Sequence, residues 1–265
     1  MNRTTNAFRL GLSPPPKKLL VVCLCTLYDT CTFMCKVRPF WQKERLKRLP
    51  KRSTKIYAAV TADIIGSRDV DNFPRERDRK LKPLGKKHLA LGLIVSEYAV
   101  TAWDEFEGLA LPASIPSVLL DLRRYFYPFA LWIGVGIGAV SEPHGKPINA
   151  FAGGEAFERA RKAIDEIKKG RTGSSRTTAF VSDNMEFDLI ANTVYHLHDT
   201  LIQGISSRQW QTINVQLSLK TQERTAKKLG LHTSSVSRTL RRGFYNQIEE
   251  TRATMELLME RYFPN

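Results

Sequence analysis

The stretch Thr101-Ala102-Trp103-Asp104-Glu105-Phe106-Glu107-Gly108 constrains the fold most. It sets two adjacent carboxylates between an apolar, partly alternating run (Tyr98, Val100, Ala102) and a second one (Phe106, Leu109, Leu111). Alternation on both sides of a polar break reads as the tip of a β-hairpin. Carboxylates at such a tip are well placed to hold a divalent cation.

A second acid lies upstream in Lys55-Ile-Tyr-Ala-Ala-Val-Thr-Ala-Asp63-Ile64-Ile-Gly66-Ser67-Arg68. Here a short apolar strand ends on an Asp, and a helix-compatible polar stretch lies beyond Gly-Ser. If strand and hairpin lie side by side in one sheet, Asp63 and Asp104, with Glu105 adjoining, clamp one ion. Hard cations such as Mg²⁺ take carboxylate oxygens and leave positions open for triphosphate oxygens. Gly66 and Ser67, at a strand-to-helix turn after Ile64, would offer backbone N–H groups to those phosphates.

The Asp63-Ile-Ile-Gly-Ser and Asp104-Glu-Phe-Glu-Gly segments resemble those of the SatD family, whose palm-like core is similar to class III nucleotide cyclases and GGDEF diguanylate cyclases. The resemblance covers roughly residues 55 to 262. It implies a ferredoxin-like palm in which the strand Asp and the hairpin acids bind metal and a nucleoside triphosphate. Trp103 stands where the cyclase-type hairpin has a glycine, and Phe157 or Glu158 stands at the place of the cyclase Asn. A bulky residue disfavours the positive φ that a turn glycine permits, so metal and nucleotide binding fit the comparison better than cyclisation does.

The formal charge of +15 on 265 residues matters through its distribution. Residues 1 to 53 carry twelve Lys or Arg against Asp29 and Glu44, a net of +10, which leaves +5 for the rest. The high charge is therefore mostly a property of the amino terminus and does not by itself indicate nucleic-acid binding. The run Leu19–Tyr28 is apolar for ten residues before Asp29, well short of the ~20 needed to cross a bilayer, so no membrane association is expected. Residues 1–53 read as a basic disordered leader or a start assigned too far upstream, and all four cysteines (Cys23, Cys25, Cys31, Cys35) fall within them. Their spacing fits neither paired zinc half-sites nor a disulfide scaffold, and the cysteine-free remainder suits a cytoplasmic protein.

Beyond the first strand, Asp71 to Leu91 reads as two short helices or a kinked one because of Pro83. Ser114 to Tyr127 has helical periodicity, with Ser114 as cap and Pro116 in the first turn. Ala130 to Val140 reads as a buried strand whose Gly134, Gly136 and Gly138 lie on one face, where small residues let a helix pack closely. Asn149 to Lys169 is then a helix with Arg159, Lys162 and Glu166 toward solvent. Gly170 to Ser175 is a turn, and Thr177 to Val181 a last strand. The order gives an α+β fold: residues 54–184 as a palm with one sheet face covered by helices, and residues 185–265 as an all-α domain.

Within that second region, Thr221 to Arg242 has the pattern of a helix-turn-helix: Ala226, Gly230, Leu231, Val236 and Leu240 sit where close crossing, turn and core require them. Thr233 and Ser234 suit the N-cap of a recognition helix. Ser235, Ser237 and Arg238 then face base edges, and Arg241, Arg242, Lys227 and Lys228 face phosphates. The alternative is a helical bundle that serves only packing. Residues 249 to 263, with Ile248, Met255, Leu258 and Met259, read as a closing helix able to pair two subunits. His196 and His198 point to different helix faces, and His88, His144 and His232 show no partners.

Three functions follow as expectations. The first is a cytoplasmic DNA-binding regulator with a nucleotide- and Mg²⁺-binding palm. The second is an active nucleotidyl transferase or cyclase with a two-metal carboxylate site. The third is a non-enzymatic DNA-binding protein whose degenerate palm serves dimerisation.

Overall fold

Ile56–Ile64 alternates side chains between two fully covered faces, so it is apolar almost throughout and forms the central strand β1. In the computed structural model, which describes residues 55–140, 154–170 and 176–264, it is joined by β2 (Ile94–Val100), β3 (Glu105–Ala110), β4 (Leu131–Ala139) and β5 (Thr178–Val181). The sheet order is β2-β3-β1-β4-β5. β1 runs antiparallel to both β3 and β4, β2 antiparallel to β3, and β5 extends the sheet parallel to β4. The expected hairpin is β2–β3, and its tip holds Trp103 and Asp104. Among the described residues Trp103 is not one of those with positive φ, so the turn is made without the conformation a glycine would offer.

Among the described residues, eight α-helices accompany the sheet: α1 (Phe73–Ala90), α2 (Ile115–Phe126), α3 (Glu155–Lys169), α4 (Met185–Gln203), α5 (Ser207–Leu219), α6 (Gln222–Leu229), α7 (Thr233–Arg242) and α8 (Tyr245–Tyr262). The fold is mixed α+β, as expected from the sequence. Ala58, Val60, Ala62 and Ile64 of β1 pack with Leu81 and Leu84 of α1, Leu119 and Leu122 of α2, and Met255 and Met259 of α8. Tyr57 and Ala59 point the other way, onto Ala156, Phe157 and Ala160 of α3. Helices therefore cover both sheet faces, not one.

The approach of α3 depends on the glycines of β4. A Cβ on Gly134 would lie 2.2 Å from the Ala160 carbonyl oxygen, and one on Gly136 2.0 Å from that of Ala156. These contacts are with helix backbone, which cannot swing aside. The packing role expected for the glycine strand is what the structure shows.

Other expectations need correction. Asp71 to Leu91 does not break at Pro83: α1 runs through it as one helix with Pro74 in its first turn. The proline deprives the Arg79 carbonyl of its helical donor, and both residues are exposed, so water can replace the lost bond. Ser114 occupies the cap position of α2 but its side chain makes no capping bond. Ile248, Met255 and Met259 of α8 are buried within the chain, and Leu258 packs against the same core, so this stripe is not free to pair two subunits. The leader 1–53 with its cysteines, His144, residues 149–153 and the turn residues 171–175 lie outside the described residues.

Candidate functional site

The strand period decides where the acids go. Asp63 lies opposite Glu105, and Thr61 opposite Glu107, so all four share the sheet face that α3 covers. Arg161 and Lys168, seven residues apart and so two turns along one face of α3, lie over them. Lys168 Nζ pairs with the Asp63 carboxylate. Arg161 donates from Nε and Nη2 to Glu107 Oε1 at 3.3 and 3.2 Å, and Thr61 Oγ1 donates to the same oxygen at 3.4 Å. Glu107 is the most buried acid of this face at 4% exposure. Sequence reading missed it, although its spacing of two from Glu105 places it on the same face.

Asp104 belongs to a different arrangement. Its carbonyl accepts the Ile64 N–H at 3.1 Å, and its carboxylate accepts the Ser67 hydroxyl at 2.7 Å. Glu105, half-buried, accepts from Thr101 Oγ1 at 2.8 Å. Asp63, Asp104 and Glu105 thus have three separate partners, and among the described residues no group of three His, Cys, Asp or Glu side chains is placed to hold a metal ion. With Asp63 on Lys168, Asp104 on Ser67 and Glu105 on Thr101, this donor set does not fit a shared divalent cation. Of the residues expected at phosphates, Ile64 is buried in the core and Ser67 is buried on Asp104. Gly66, exposed with φ 77°, makes the turn between β1 and the short 3-10 segment Ser67–Asp69.

The helix pair α6–α7 is built from local signals. Thr221 caps α6 by accepting the Arg224 N–H. Gly230 ends it at φ 65°, and the Leu231 N–H reaches back to the Ala226 carbonyl at 2.9 Å, a glycine-dependent C-terminal lock. Ala226, Val236 and Leu240 are buried with Trp210 and Ile213 of α5, and Thr225 Oγ1 donates to Gln216 Oε1 of α5 at 2.9 Å. The cap of α7 is His232, not Thr233 or Ser234: its Nδ1 accepts the Ser234 N–H, and Ser234 Oγ lies 2.8 Å from the same nitrogen. His232 is therefore partnered after all.

Because Val236 and Leu240 face inward, the opposite side of α7 faces out. Thr233, Ser234, Ser237, Arg238, Arg241 and Arg242 are exposed, whereas Ser235 is half-buried and accepts from Thr239 through its carbonyl. Lys227 and Lys228 are exposed at the adjoining end of α6. Across residues 221–242 there are six cations against Glu223, and none of Lys227, Lys228, Arg241 and Arg242 is ion-paired among the described residues.

Two buried polar networks had no sequence signal beyond the residue types. His88, expected to lack partners, meets Tyr98 Oη at 2.7 Å and Asp121 at 3.2 Å. Burial alone would raise the Asp121 pKa, but bonds from His88 and Lys87 and the charge of Arg124 hold it down at about 2. Asp199, fully buried, accepts from Arg123 Nη2 and from the Thr177 N–H, each at 2.8 Å, and so ties α2, β5 and α4 together. His198 beside them is pushed down to about 4 by burial and by Arg123. His196, two residues earlier, is exposed, as their spacing required.

The SatD family model matches residues 57–258, which is most of the chain. The chain belongs to the SatD family. No curated protein matches it. Among solved structures, the chain is similar to a regulator of polyketide synthase expression from Bifidobacterium adolescentis at 15% identity and a TM-score of 0.27, over 81% of this chain and 84% of that one. Among the described residues of this SatD-family chain, no helix is long and apolar enough to cross a membrane.

Proposed function

We propose that this SatD-family chain is a DNA-binding regulator whose reading head is the helix-turn-helix α6–α7, carried on a ferredoxin-like palm. The observation that carries the proposal is the outward face of α7. It presents hydroxyls and a guanidinium (Ser234, Ser237, Arg238) in its first two turns, with the exposed cations Arg241, Arg242, Lys227 and Lys228 beside them. In this reading Thr233, Ser234, Ser237 and Arg238 meet base edges, and Ser235, half-buried, serves the helix start. The four cations meet phosphates and set affinity.

The order β2-β3-β1-β4, with α1 and α2 on one face, supports the palm comparison. Its acids are partnered within the chain, so the palm acts as a scaffold for the reading head in this proposal, without Mg²⁺ or nucleotide.

The test is fluorescence anisotropy of the full chain on mixed-sequence duplex DNA across a salt series, beside an Arg241→Gln, Arg242→Gln variant. Removing one phosphate-binding cation should flatten the plot of log affinity against log salt by about 0.9, so the slope of the double variant should be shallower by about 1.8. An unchanged affinity and slope would move any DNA contact elsewhere, such as the basic segment 1–53, and overturn the proposal.

A further inference from the structure

Three large apolar side chains of α4 stand in water. Met185, Leu189 and Leu197 are 84%, 71% and 66% exposed, more than any other large apolar side chain among the described residues. They are not needed to hold the helix. Phe187, Ala191 and Tyr195 on its other side anchor it in the core. Asn192 accepts the Phe180 N–H and donates to the Phe180 carbonyl, each at 2.9 Å, and Asp188 accepts the Ser182 N–H at 2.9 Å, so α4 is also tied to β5 and the residue after it. An apolar patch on a helix held this firmly marks an interaction surface.

The pattern of the patch points to its occupant. Met185, Leu189, Thr193, Leu197 and Leu201 follow one another at intervals of four and form one ridge of the helix, with Thr193 as its midpoint. The ridge is apolar at four and at eight residues on either side of that midpoint. Ridges of this type on two helices interlock at a crossing angle of about 50°, with the axes about 8–10 Å apart. A twofold axis at Thr193 then brings Leu189 of each copy to Leu197 of the other. Thr193, small and exposed, lies at the crossing, where the helices come closest.

The polar groups of this face tolerate being covered. The Thr193 hydroxyl donates to the Leu189 carbonyl at 2.8 Å, and the Thr200 hydroxyl to the His196 carbonyl at 3.0 Å, so burial leaves neither donor unsatisfied. In a chain of formal charge +15, α4 carries no Lys or Arg, and of its acids only Glu186 is exposed. The face therefore offers nothing to phosphates or to an anionic membrane. The same twofold sets Glu186 opposite Thr200 of the second copy, so like charges do not meet.

From this geometry we infer that α4 is the contact surface for a second copy of this chain, through a twofold crossing of the two α4 helices at Thr193. An isologous contact needs a self-complementary surface, and this ridge is one. A single helix crossing covers less than the ~800 Å² per partner of a standard interface, so the dimer is of moderate affinity. Two copies carry two reading heads, as a DNA site of two half-sites needs. That consequence rests on the DNA-binding reading; the pairing does not.

The experiment is sedimentation equilibrium of the full chain without DNA, from micromolar to high-micromolar concentration, beside Leu189→Lys, Leu197→Glu and the double variant. Both positions are exposed, and unchanged circular dichroism shows that each variant folds. The full chain should approach a dimer as concentration rises. Each single variant sets a lone charge against leucine in the contact and should weaken the dimer at least tenfold. In the double variant the twofold brings each introduced lysine to the introduced glutamate of the other copy, and association should recover at least tenfold. Within one helix the two positions are about 12 Å apart, too far to pair, so recovery reports contact between copies. A full chain that stays monomeric leaves the ridge to another occupant and overturns the inference. So does a dimer indifferent to the single substitutions, or a double variant no tighter than the single ones. None of these outcomes involves DNA or the cations of α6 and α7, so failure here is distinct from failure of the DNA-binding reading.

Discussion

His198 couples stability to pH in a window of its own. It is buried on α4 beside Arg123, Asp199 and Tyr195, and among the described residues its Nδ1 finds no partner. Burial first, then the Arg123 guanidinium, lowers its pKa from 6.5 to about 4. The folded chain therefore keeps the ring neutral over a range in which the unfolded chain takes up a proton. The stabilisation is fully present above pH 6.5 and is lost as pH falls, with the loss complete near pH 4. At ~1.4 kcal/mol per pH unit, the gap is worth about 3 kcal/mol. Urea unfolding of the full chain and of His198→Met, from about pH 7 to about pH 4, measures it, because other titrating groups cancel in the difference between the two proteins. Asp121 does not intrude, since its own contribution is lost only between 3.8 and about 2. Wild type should lose stability relative to the variant progressively across the window. A difference that stays flat from pH 7 to pH 4 would show that the ring is not held neutral, and would refute the argument.

Two further outcomes test the sheet. Gly136→Ala should destabilise by more than the ~1–3 kcal/mol typical of overpacking, and Gly138→Ala by less than Gly136→Ala, because the second new methyl meets side-chain atoms of Arg159 and Glu155 instead of helix backbone. Chemical denaturation ranks them, and equal stabilities would sink the close-packing account. Mg²⁺ should leave the melting temperature of the full chain unchanged, with or without a nucleoside triphosphate, because Lys168 and Ser67 already engage Asp63 and Asp104. A Mg²⁺-dependent rise abolished by Asp63→Ala would reinstate the metal site.

What was legible in the sequence was what depends on short-range pattern. The hairpin followed from alternation around Asp104, and α2 and α8 followed from helical spacing with errors of a few residues at their ends. The α6–α7 pair followed from Ala226, Gly230 and Val236, because a turn glycine and its flanking core residues are all near neighbours. Of the two outcomes expected at Pro83, a break into two helices did not occur, because the effect of the proline on α1 depends on whether the carbonyl it orphans meets water, and that requires knowing which face is buried. Arg159 was placed in solvent, yet its Nη1 donates to the Ile137 carbonyl across the glycine face of β4.

The partners of the acids were hidden for a related reason. Asp63 looks like half of a metal clamp when only its own strand and the hairpin are considered, since both motifs end in carboxylates. Gly134 and Gly136 remove the side chains that would hold α3 away, and that close approach brings Lys168 and Arg161 over Asp63 and Glu107. The glycine strand and the acidic strands thus act together, the first admitting the helix whose cations neutralise the second. Asp63 and Glu107 share a face through the register of β1 with β3, and Arg161 and Lys168 share one through the period of α3. Both spacings are present in the sequence, but only the helix's position on that face of the sheet turns them into ion pairs.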